Sequence, residues 1–323
     1  MTDSAFLQSL HAQFATPPDR IAGLVHKIIG GEVTSMHRVV NGYDNEVHRV
    51  TVDGHAPLFV RIRRNGEGDF SAEAAAMESA RGAGVPTPEI VALDRVASDD
   101  AERDVMILAA APGRALEEVA DDLSVQDHHA ALVDLGRVLA RLHEVRMPGA
   151  WRPGPDGRWP DPAELRGYFI RDRLAERPEL VRAGLSEAEI ERTFEALQED
   201  PAPHTEPVLC HGDLNRGHVF VDSRSRVSCL IDWGMWHAGS TAGEFGYVWK
   251  TFGDDGLEAV LLGHRAGSPT DPELRRSIAV SLCQTQIGHI AHHVGIGDDQ
   301  GVRFNVARLR RALAELDRPG RTP

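Results

Sequence analysis

Cysteine and long apolar runs are scarce in this chain, and both absences restrict the class of protein. Only three cysteines, Cys210, Cys229 and Cys283, occur among 323 residues, and no two of them are spaced as Cys-x-x-Cys. This count excludes a disulfide-rich secreted scaffold, so we expect buried thiols in a reducing compartment. No run of about 18 apolar residues occurs, which argues against a membrane-spanning helix.

Basic residues are also few relative to acidic residues. The 35 Lys and Arg residues are outnumbered by 49 Asp and Glu residues, which gives a formal net charge of −14. A nucleic-acid partner is not expected, because phosphate backbones are bound by basic surfaces. The first residues, MTDSAFLQSLHAQF, contain an acid at position 3 and no long apolar core, so no signal peptide is predicted. These features predict a cytoplasmic protein with no membrane partner.

The composition that is present suits a globular protein with a sizeable core. Hydrophobic residues make up 41% of the chain and charged residues 26%, enough for one large domain or two ordinary ones that share a cleft. Strand patterns dominate the first third, and their ranges are 33–40, 46–52, 57–62 and 104–108. Helical spacing dominates afterwards, in ranges 125–145, 163–177, 186–199, 243–252, 256–262, 272–287 and 302–316.

The residues with catalytic potential are concentrated in the range 211–233, which reads HGDLNRGHVFVDSRSRVSCLIDW. Two short β-prone runs flank a polar turn and predict a hairpin. Asp213 precedes the first strand, and Asp232 follows the second. Because a hairpin brings its outer ends together, we expect the two carboxylates to be neighbours. Such a pair can divide the chemistry, since one carboxylate can take a proton from a hydroxyl while the other holds a metal ion.

This stretch, HGDLxxGH followed by IDW, closely resembles the aminoglycoside/macrolide phosphotransferase family. The resemblance implies an α+β, bilobal protein-kinase-like fold, with a small antiparallel β-sheet in the N-terminal lobe and a mainly helical C-terminal lobe. It implies that residues 1–112 form the nucleotide-binding lobe and hinge, and that residues 113–323 form the catalytic and acceptor-binding lobe. By the same resemblance Asp213 is the base for the acceptor hydroxyl, while His218 and Asp232 bind Mg²⁺.

The resemblance also implies a set of nucleotide-binding residues: Asn45, Arg61, Glu73, Ala109 and Ala111. Arg61 stands on the third strand where the phosphate-binding cation lies, with Arg63 as the alternative, and Glu73 is its expected partner. Asn45 ends the turn NGYDN, which is expected to cover the phosphates. The alternative is an ordinary hairpin turn, which has the same kind of sequence. The backbones of Ala109 and Ala111 are expected to contact the purine edge.

His218 distinguishes between subfamilies. Most of the superfamily has Asn at this position, an oxygen ligand that suits Mg²⁺, whereas imidazole is softer and favours transition metals. Macrolide phosphotransferases characteristically have His, and the later segment FGDDGL resembles their FGEEGL. The family's Asp-Pro and Asp-Leu pairs are replaced here by Gly239-Ser240 and Glu244-Phe245, which leaves the acceptor side open.

The implied function is transfer of the γ-phosphoryl group of GTP or ATP to a hydroxyl of a small-molecule antibiotic, with a macrolide favoured. An aminoglycoside or other small-alcohol kinase of the same fold, and a nucleotide-binding regulatory module, remain alternatives. A polycationic acceptor needs a carboxylate-lined pocket, whereas a macrolide needs an apolar one with a single acid. Four histidines receive structural interpretations: His143 is expected in the core, and the cluster of His289, His292 and His293 shows no fourth zinc ligand.

Overall fold

The computed structural model describes residue 11 and the ranges 14–40, 45–64, 70–98, 101–154, 156–198, 206–264 and 271–318. Contacts divide the chain into two compact units. Met1–Glu78 and Thr87–Pro112 form the first unit, and Ser79–Pro86 and Gly113–Pro323 form the second. Of the turn NGYDN at residues 41–45, residues 41–44 lie outside the described residues.

The first unit is built on a five-stranded antiparallel sheet, with strands β1 (Val33–Val39), β2 (Asn45–Val52), β3 (Leu58–Arg63), β4 (Ile90–Ala97) and β5 (Glu102–Ala109). The strand order in the sheet is β1-β2-β3-β5-β4. Helix α1 (Pro18–Ile29) precedes the sheet, and helix α2 (Ser71–Gly82) follows β3. The apolar face of α1, with Ile21 and Val25, packs in one cluster with Val60 and Ile107 of the sheet.

The second unit is mainly helical. Its helices are α3 (Leu116–Val119), α4 (Val125–Leu142), α5 (Pro162–Ala175), α6 (Arg177–Arg182), α7 (Glu187–Gln198), α8 (Thr241–His264), α9 (Pro272–Gly295) and α10 (Asp299–Leu316). Its strands are β6 (Arg114–Ala115), β7 (Val208–Cys210), β8 (Val219–Val221), β9 (Val227–Leu230) and β10 (His237–Gly239). They form a three-stranded sheet, β6-β8-β9, and a two-stranded sheet, β7-β10. The predicted α+β class, a small antiparallel sheet followed by a mainly helical part, is confirmed.

Helix boundaries differ from the predictions where proline and glycine act locally. The predicted helix 163–177 is divided at Glu176, because Pro178 lies in the first turn of α6, where its missing N–H is tolerated. Helix α8 covers two predicted helices, and a kink at Gly253 (φ 73°, ψ −165°) separates them. Helix α9 continues past the predicted end at residue 287 and through Gly288, because tertiary packing stabilises the helix beyond this glycine and Ile290 is buried in the core.

All three cysteines are free and buried, as predicted. The aromatic residues Phe245, Trp249 and Phe252 of α8 are also buried. His143 is buried as expected, and its Nδ1 lies 2.9 Å from His264 Nε2. Within the described residues, no helix is both long and apolar enough to cross a membrane.

Candidate active site

A buried strand and a tight turn position the loop that carries Asp213. Strand β7 pairs with β10 in antiparallel register, Cys210 opposite His237. The chain then turns at Gly212, which has a φ of 80°. A Cβ at this position would lie 2.1 Å from the Met235 carbonyl oxygen, so a larger residue does not fit. The glycine of the HGD motif therefore lets the loop pass close to the residues that follow Asp232.

His211 links the Asp213 loop to the end of the hairpin. Its ring is fully buried, its Nε2 donates to the Ile231 carbonyl at 2.9 Å, and its Nδ1 accepts the N–H of Asp213 at 3.3 Å. Burial lowers the pKa of His211 to about 4, so the ring is neutral and can fill both roles. One side chain thereby fixes the backbone beside both Asp213 and Asp232.

Glu244 of α8 holds the same loop from the other side. Its carboxyl oxygens accept the backbone N–H groups of His211 at 2.5 Å and Gly212 at 3.2 Å. The side chain is buried, and burial raises its pKa to about 7. A second tie from α8 is the Thr251 hydroxyl, which donates to the Leu214 carbonyl at 3.0 Å. The loop is therefore fastened to α8 on both sides of Asp213.

The orientation of His218 follows from the loop's own backbone. Its Nδ1 lies 2.8 Å from the carbonyl oxygen of Asp213 and 2.9 Å from Asn215 Nδ2. The carbonyl requires a donor, so we assign the proton to Nδ1, and Nε2 is then the acceptor, with the Asn215 amide nitrogen 3.2 Å away as its donor. That Nε2 lies 3.6 Å from Asp232 Oδ2. A backbone carbonyl that orients an imidazole in this way is the usual outer partner of a metal-binding histidine.

Asp213, His218 and Asp232 converge as the sequence predicted. One potential ligand atom from each lies within 4.8 Å of the other two, close enough to share a metal ion. Asp232 has a φ of 60°, a left-handed conformation that is uncommon outside glycine and typical of functional positions. Burial raises the pKa of Asp213, with a further contribution from the charge of Asp232, while His218 opposes the shift. A raised pKa suits a carboxylate that must accept a proton.

In the first unit, the predicted pairing of Arg61 with Glu73 is confirmed. Arg61 Nη1 donates to the Glu73 carboxylate, and both side chains are buried. The guanidinium also lies over the Phe70 ring, 5.4 Å from its centroid. Arg63 is only half-buried and lies 4.9 Å from the centroid of the same ring. Arg61 is therefore the better-fixed cation of the two, and its role towards a nucleotide stays a prediction.

The remaining predicted nucleotide contacts lie at strand ends of the same unit. Asn45 is the first residue of β2 and pairs with Arg63. Ala109 ends β5, and its N–H donates to the Glu89 carbonyl at 2.9 Å. Because this N–H is already bonded, the predicted contact of Ala109 with the purine would be made by its carbonyl oxygen. Ala111 lies two residues beyond the strand.

A cavity of about 570 Å³ in the second unit extends to Gly212, the residue before Asp213. A smaller cavity of about 270 Å³ shares Phe169 and Arg173 with it. Aromatic and apolar side chains such as Trp151 and Phe169 line the larger cavity, and their rings pack edge to face. Glu176 is the one carboxylate among the described residues lining either cavity, and it is paired with Arg173 at 2.8 Å.

Two residues of this site were missed by the sequence interpretation. Glu244 departs from the family pattern at its position, and no sequence motif includes Lys250. The signal for Glu244 was an acid in a strongly apolar helix, since such a residue needs internal partners when buried. The signal for Lys250 was its rarity, because Lys27 is the only other lysine in the chain.

The second unit holds a carboxylate of raised pKa beside a His–Asp pair that could bind a metal, and the first unit holds a buried pair between Arg61 of β3 and Glu73 of α2. Kinase-like phosphotransferases have residues of these kinds. The family model described as the phosphotransferase enzyme family matches residues 35–276, and the chain belongs to this family. None of the curated proteins matches the chain.

Solved structures agree on the fold. A thermostable mutant of aminoglycoside phosphotransferase APH(4)-Ia, in complex with ADP and hygromycin B, superposes with a TM-score of 0.67 at 15% identity, covering 92% of this chain and 98% of that one. Macrolide 2'-phosphotransferase type I gives a TM-score of 0.61 at 20% identity, covering 90% and 96%. Macrolide 2'-phosphotransferase MphH from Brachybacterium faecium gives 0.53 at 20% identity, covering 93% and 99%. At these identities the likeness establishes the fold alone.

Proposed function

We propose that this protein transfers the γ-phosphoryl group of GTP or ATP to a hydroxyl of a small-molecule antibiotic, and that the acceptor is a macrolide. The convergence of Asp213, His218 and Asp232 within 4.8 Å carries the proposal. It joins a base of raised pKa to a pair that can hold a cation, which are the two requirements of phosphoryl transfer.

In the proposed reaction Asp213 accepts the proton of the acceptor hydroxyl. The acceptor oxygen then bonds to the γ-phosphorus while the bond to the bridging oxygen breaks, and the nucleoside diphosphate leaves with that electron pair. His218 Nε2 and Asp232 would hold a divalent cation, which when bound neutralises phosphate charge. Carboxylate oxygen suits Mg²⁺, and the imidazole nitrogen also suits Mn²⁺. Arg61, held by Glu73, is proposed to bind the nucleotide phosphates, with further contacts from Asn45, Ala109 and Ala111.

The cavity beside Gly212 supports a macrolide over an aminoglycoside. Its lining is mixed: Trp151, Leu165 and Phe169 suit a large, mainly apolar acceptor, and polar side chains such as Gln284 and Thr285 can bind the hydroxyl groups of that acceptor. The single lining acid, Glu176, is already paired with Arg173, so the cavity offers little to balance a polycation. His218, the residue that macrolide phosphotransferases characteristically have at this position, is consistent with this choice.

An aminoglycoside acceptor is the second candidate, because structures that bind hygromycin B or kanamycin share the fold. A panel of macrolides and aminoglycosides, each incubated with GTP or ATP and Mg²⁺ or Mn²⁺, separates the candidates by product mass. We expect macrolides alone to gain one phosphoryl group, and an Asp213→Asn control to form no product. Products from aminoglycosides alone would reverse the acceptor assignment, and neither product nor nucleotide hydrolysis would favour the regulatory module.

A further inference from the structure

Lys250 is an unusual cation in this protein. Of its 35 basic residues only Lys27 and Lys250 are lysines. Lys27 lies on α1 with its side chain 71% exposed and pairs with Asp94. Lys250 instead lies partly buried on α8, and no carboxylate among the described residues forms an ion pair with its ammonium group.

The Lys250 side chain contacts residues of α8 and α9, on the part of α8 that is bonded to the Asp213 loop. The neighbouring Thr251 donates to the Leu214 carbonyl at 3.0 Å, which ties this turn of α8 to the residue after Asp213. Lys250 Nζ lies 2.9 Å from His289 Nε2 and 5.3 Å from the centroid of the Tyr247 ring. Both of these rings line the cavity that reaches Gly212. The ammonium therefore contacts two residues that line this cavity, and its helix is bonded to the loop of Asp213 at the next residue.

Among the charged side chains that shift the pKa of Lys250, Asp213 is the acid and Arg308 is a second cation. Burial lowers the pKa of His289 to about 3, so this ring is neutral and accepts the lysine's hydrogen bond. From α10, Arg308 Nε donates to the Lys250 carbonyl at 2.8 Å and adds a second positive charge. Burial lowers the pKa of Lys250 to about 8, and the charge of Asp213 opposes that shift. Burying part of a cation that has no ion pair costs folding free energy, and binding of an anion beside the cation offsets that cost.

We propose that Lys250 is a catalytic residue whose ammonium group contacts the phosphoryl group as it passes from nucleotide to acceptor. This inference rests on the proposed function. The proton still goes from the acceptor hydroxyl to Asp213, and the nucleoside diphosphate still leaves with the electrons of the broken P–O bond. Lys250 donates a hydrogen bond and balances charge on the phosphoryl oxygens, and it is unchanged at the end.

The test compares Lys250→Met and Lys250→Arg, with Lys27→Met as the matched control. We expect Lys250→Met to lower kcat by about 10²-fold, the usual effect of removing one donor to a transition-state anion, while nucleotide affinity is retained. Lys250→Arg keeps a cation and recovers most of that loss. Lys27→Met has the activity of the wild type.

Three results would overturn the proposal: wild-type kcat in Lys250→Met, a change confined to the KM of the acceptor, or recovery of Lys250→Met at higher pH. The last would mean that the lysine only keeps Asp213 ionised. Acylation of amines in the wild type, followed by peptide mass analysis, gives an answer that requires no variant. Nucleotide and cation together should protect Lys250 and not Lys27, and equal labelling of Lys250 with and without them contradicts the contact. If the wild type itself phosphorylates nothing, the proposed function has failed first.

Discussion

His211 Nε2 donates to the carbonyl oxygen of Ile231 at 2.9 Å, and this bond fastens the loop of Asp213 to the strand end that carries Asp232. His211 and Ile231 are separated by 20 positions in the sequence. Because the same ring accepts the N–H of Asp213, it aligns the proposed base and the proposed metal ligand with one side chain. The first histidine of the motif therefore serves in positioning, as a neutral ring.

Replacing His211 by Leu is expected to separate positioning from chemistry. The variant leaves the Ile231 carbonyl and the Asp213 N–H without their partner, so we expect the free energy of unfolding to fall by about 1–3 kcal/mol. We also expect kcat to fall at least about tenfold, because small displacements of catalytic groups are costly. Urea unfolding and steady-state kinetics measure the two effects, with His55→Leu in an exposed turn as the control. A stable variant with wild-type kcat would contradict the positioning role.

Removing the carboxylate of Asp213 and removing that of Asp232 should affect different properties, turnover in the first case and nucleotide binding in the second. Asp213→Ala is expected to lower kcat by about 10²-fold or more with nucleotide binding intact, the usual loss for a general base. Asp232→Ala is expected to abolish the metal-dependent part of nucleotide binding. Calorimetric titration of each variant with nucleotide, with and without Mg²⁺, distinguishes these outcomes. Metal-dependent binding that survives in Asp232→Ala would remove Asp232 from the metal site.

The imidazole of His218 should influence which cation is preferred. Its Nε2 is a softer ligand than an amide oxygen, so we expect the wild type to bind nucleotide more tightly with Mn²⁺ than with Mg²⁺. His218→Asn replaces it by an oxygen donor and should reduce that preference by about tenfold. Calorimetry with each cation measures the preference without relying on turnover. An unchanged Mn²⁺-to-Mg²⁺ ratio would show that His218 does not bind the metal.

Glu244 should make stability depend on pH. Burial raises its pKa from 4.5 to about 7, so the folded protein holds this proton more tightly than the unfolded chain does. The resulting stabilisation is complete below pH 4.5 and is lost as the pH rises through 7. Glu244→Gln cannot titrate, so the unfolding free energy of the wild type minus that of the variant should fall by up to about 3 kcal/mol between pH 4.5 and pH 8.

Urea unfolding of both proteins at a series of pH values gives this difference. Glu78→Gln, at an exposed position of α2, is the control and should show no such trend. A difference between wild type and Glu244→Gln that stays constant with pH would show that Glu244 is ionised throughout this range.

Local sequence was sufficient for the hairpin, whereas the pairing of Arg61 with Glu73 was predicted from the family resemblance. A polar turn between two β-prone runs specifies strands β8 and β9, and the ends of a hairpin must meet. Arg61 and Glu73 are 12 residues apart, and the resemblance to the family indicated which arginine and which glutamate form the pair. Helix ends were less predictable, because α9 continues to Gly295 on contacts that its own letters do not reveal.

The sequence alone determined the chemical groups and their order: Asp213, His218 and Asp232 around one hairpin, on a chain with too few cysteines for disulfide scaffolding. Only the tertiary structure decided how those groups are held and what surrounds them. The hydrogen bonds from His211 and Gly212 to Glu244 span more than 30 residues, and the bond between Lys250 and His289 spans 39. Contacts over such separations depend on how whole helices pack, and no local pattern of residue types encodes that packing.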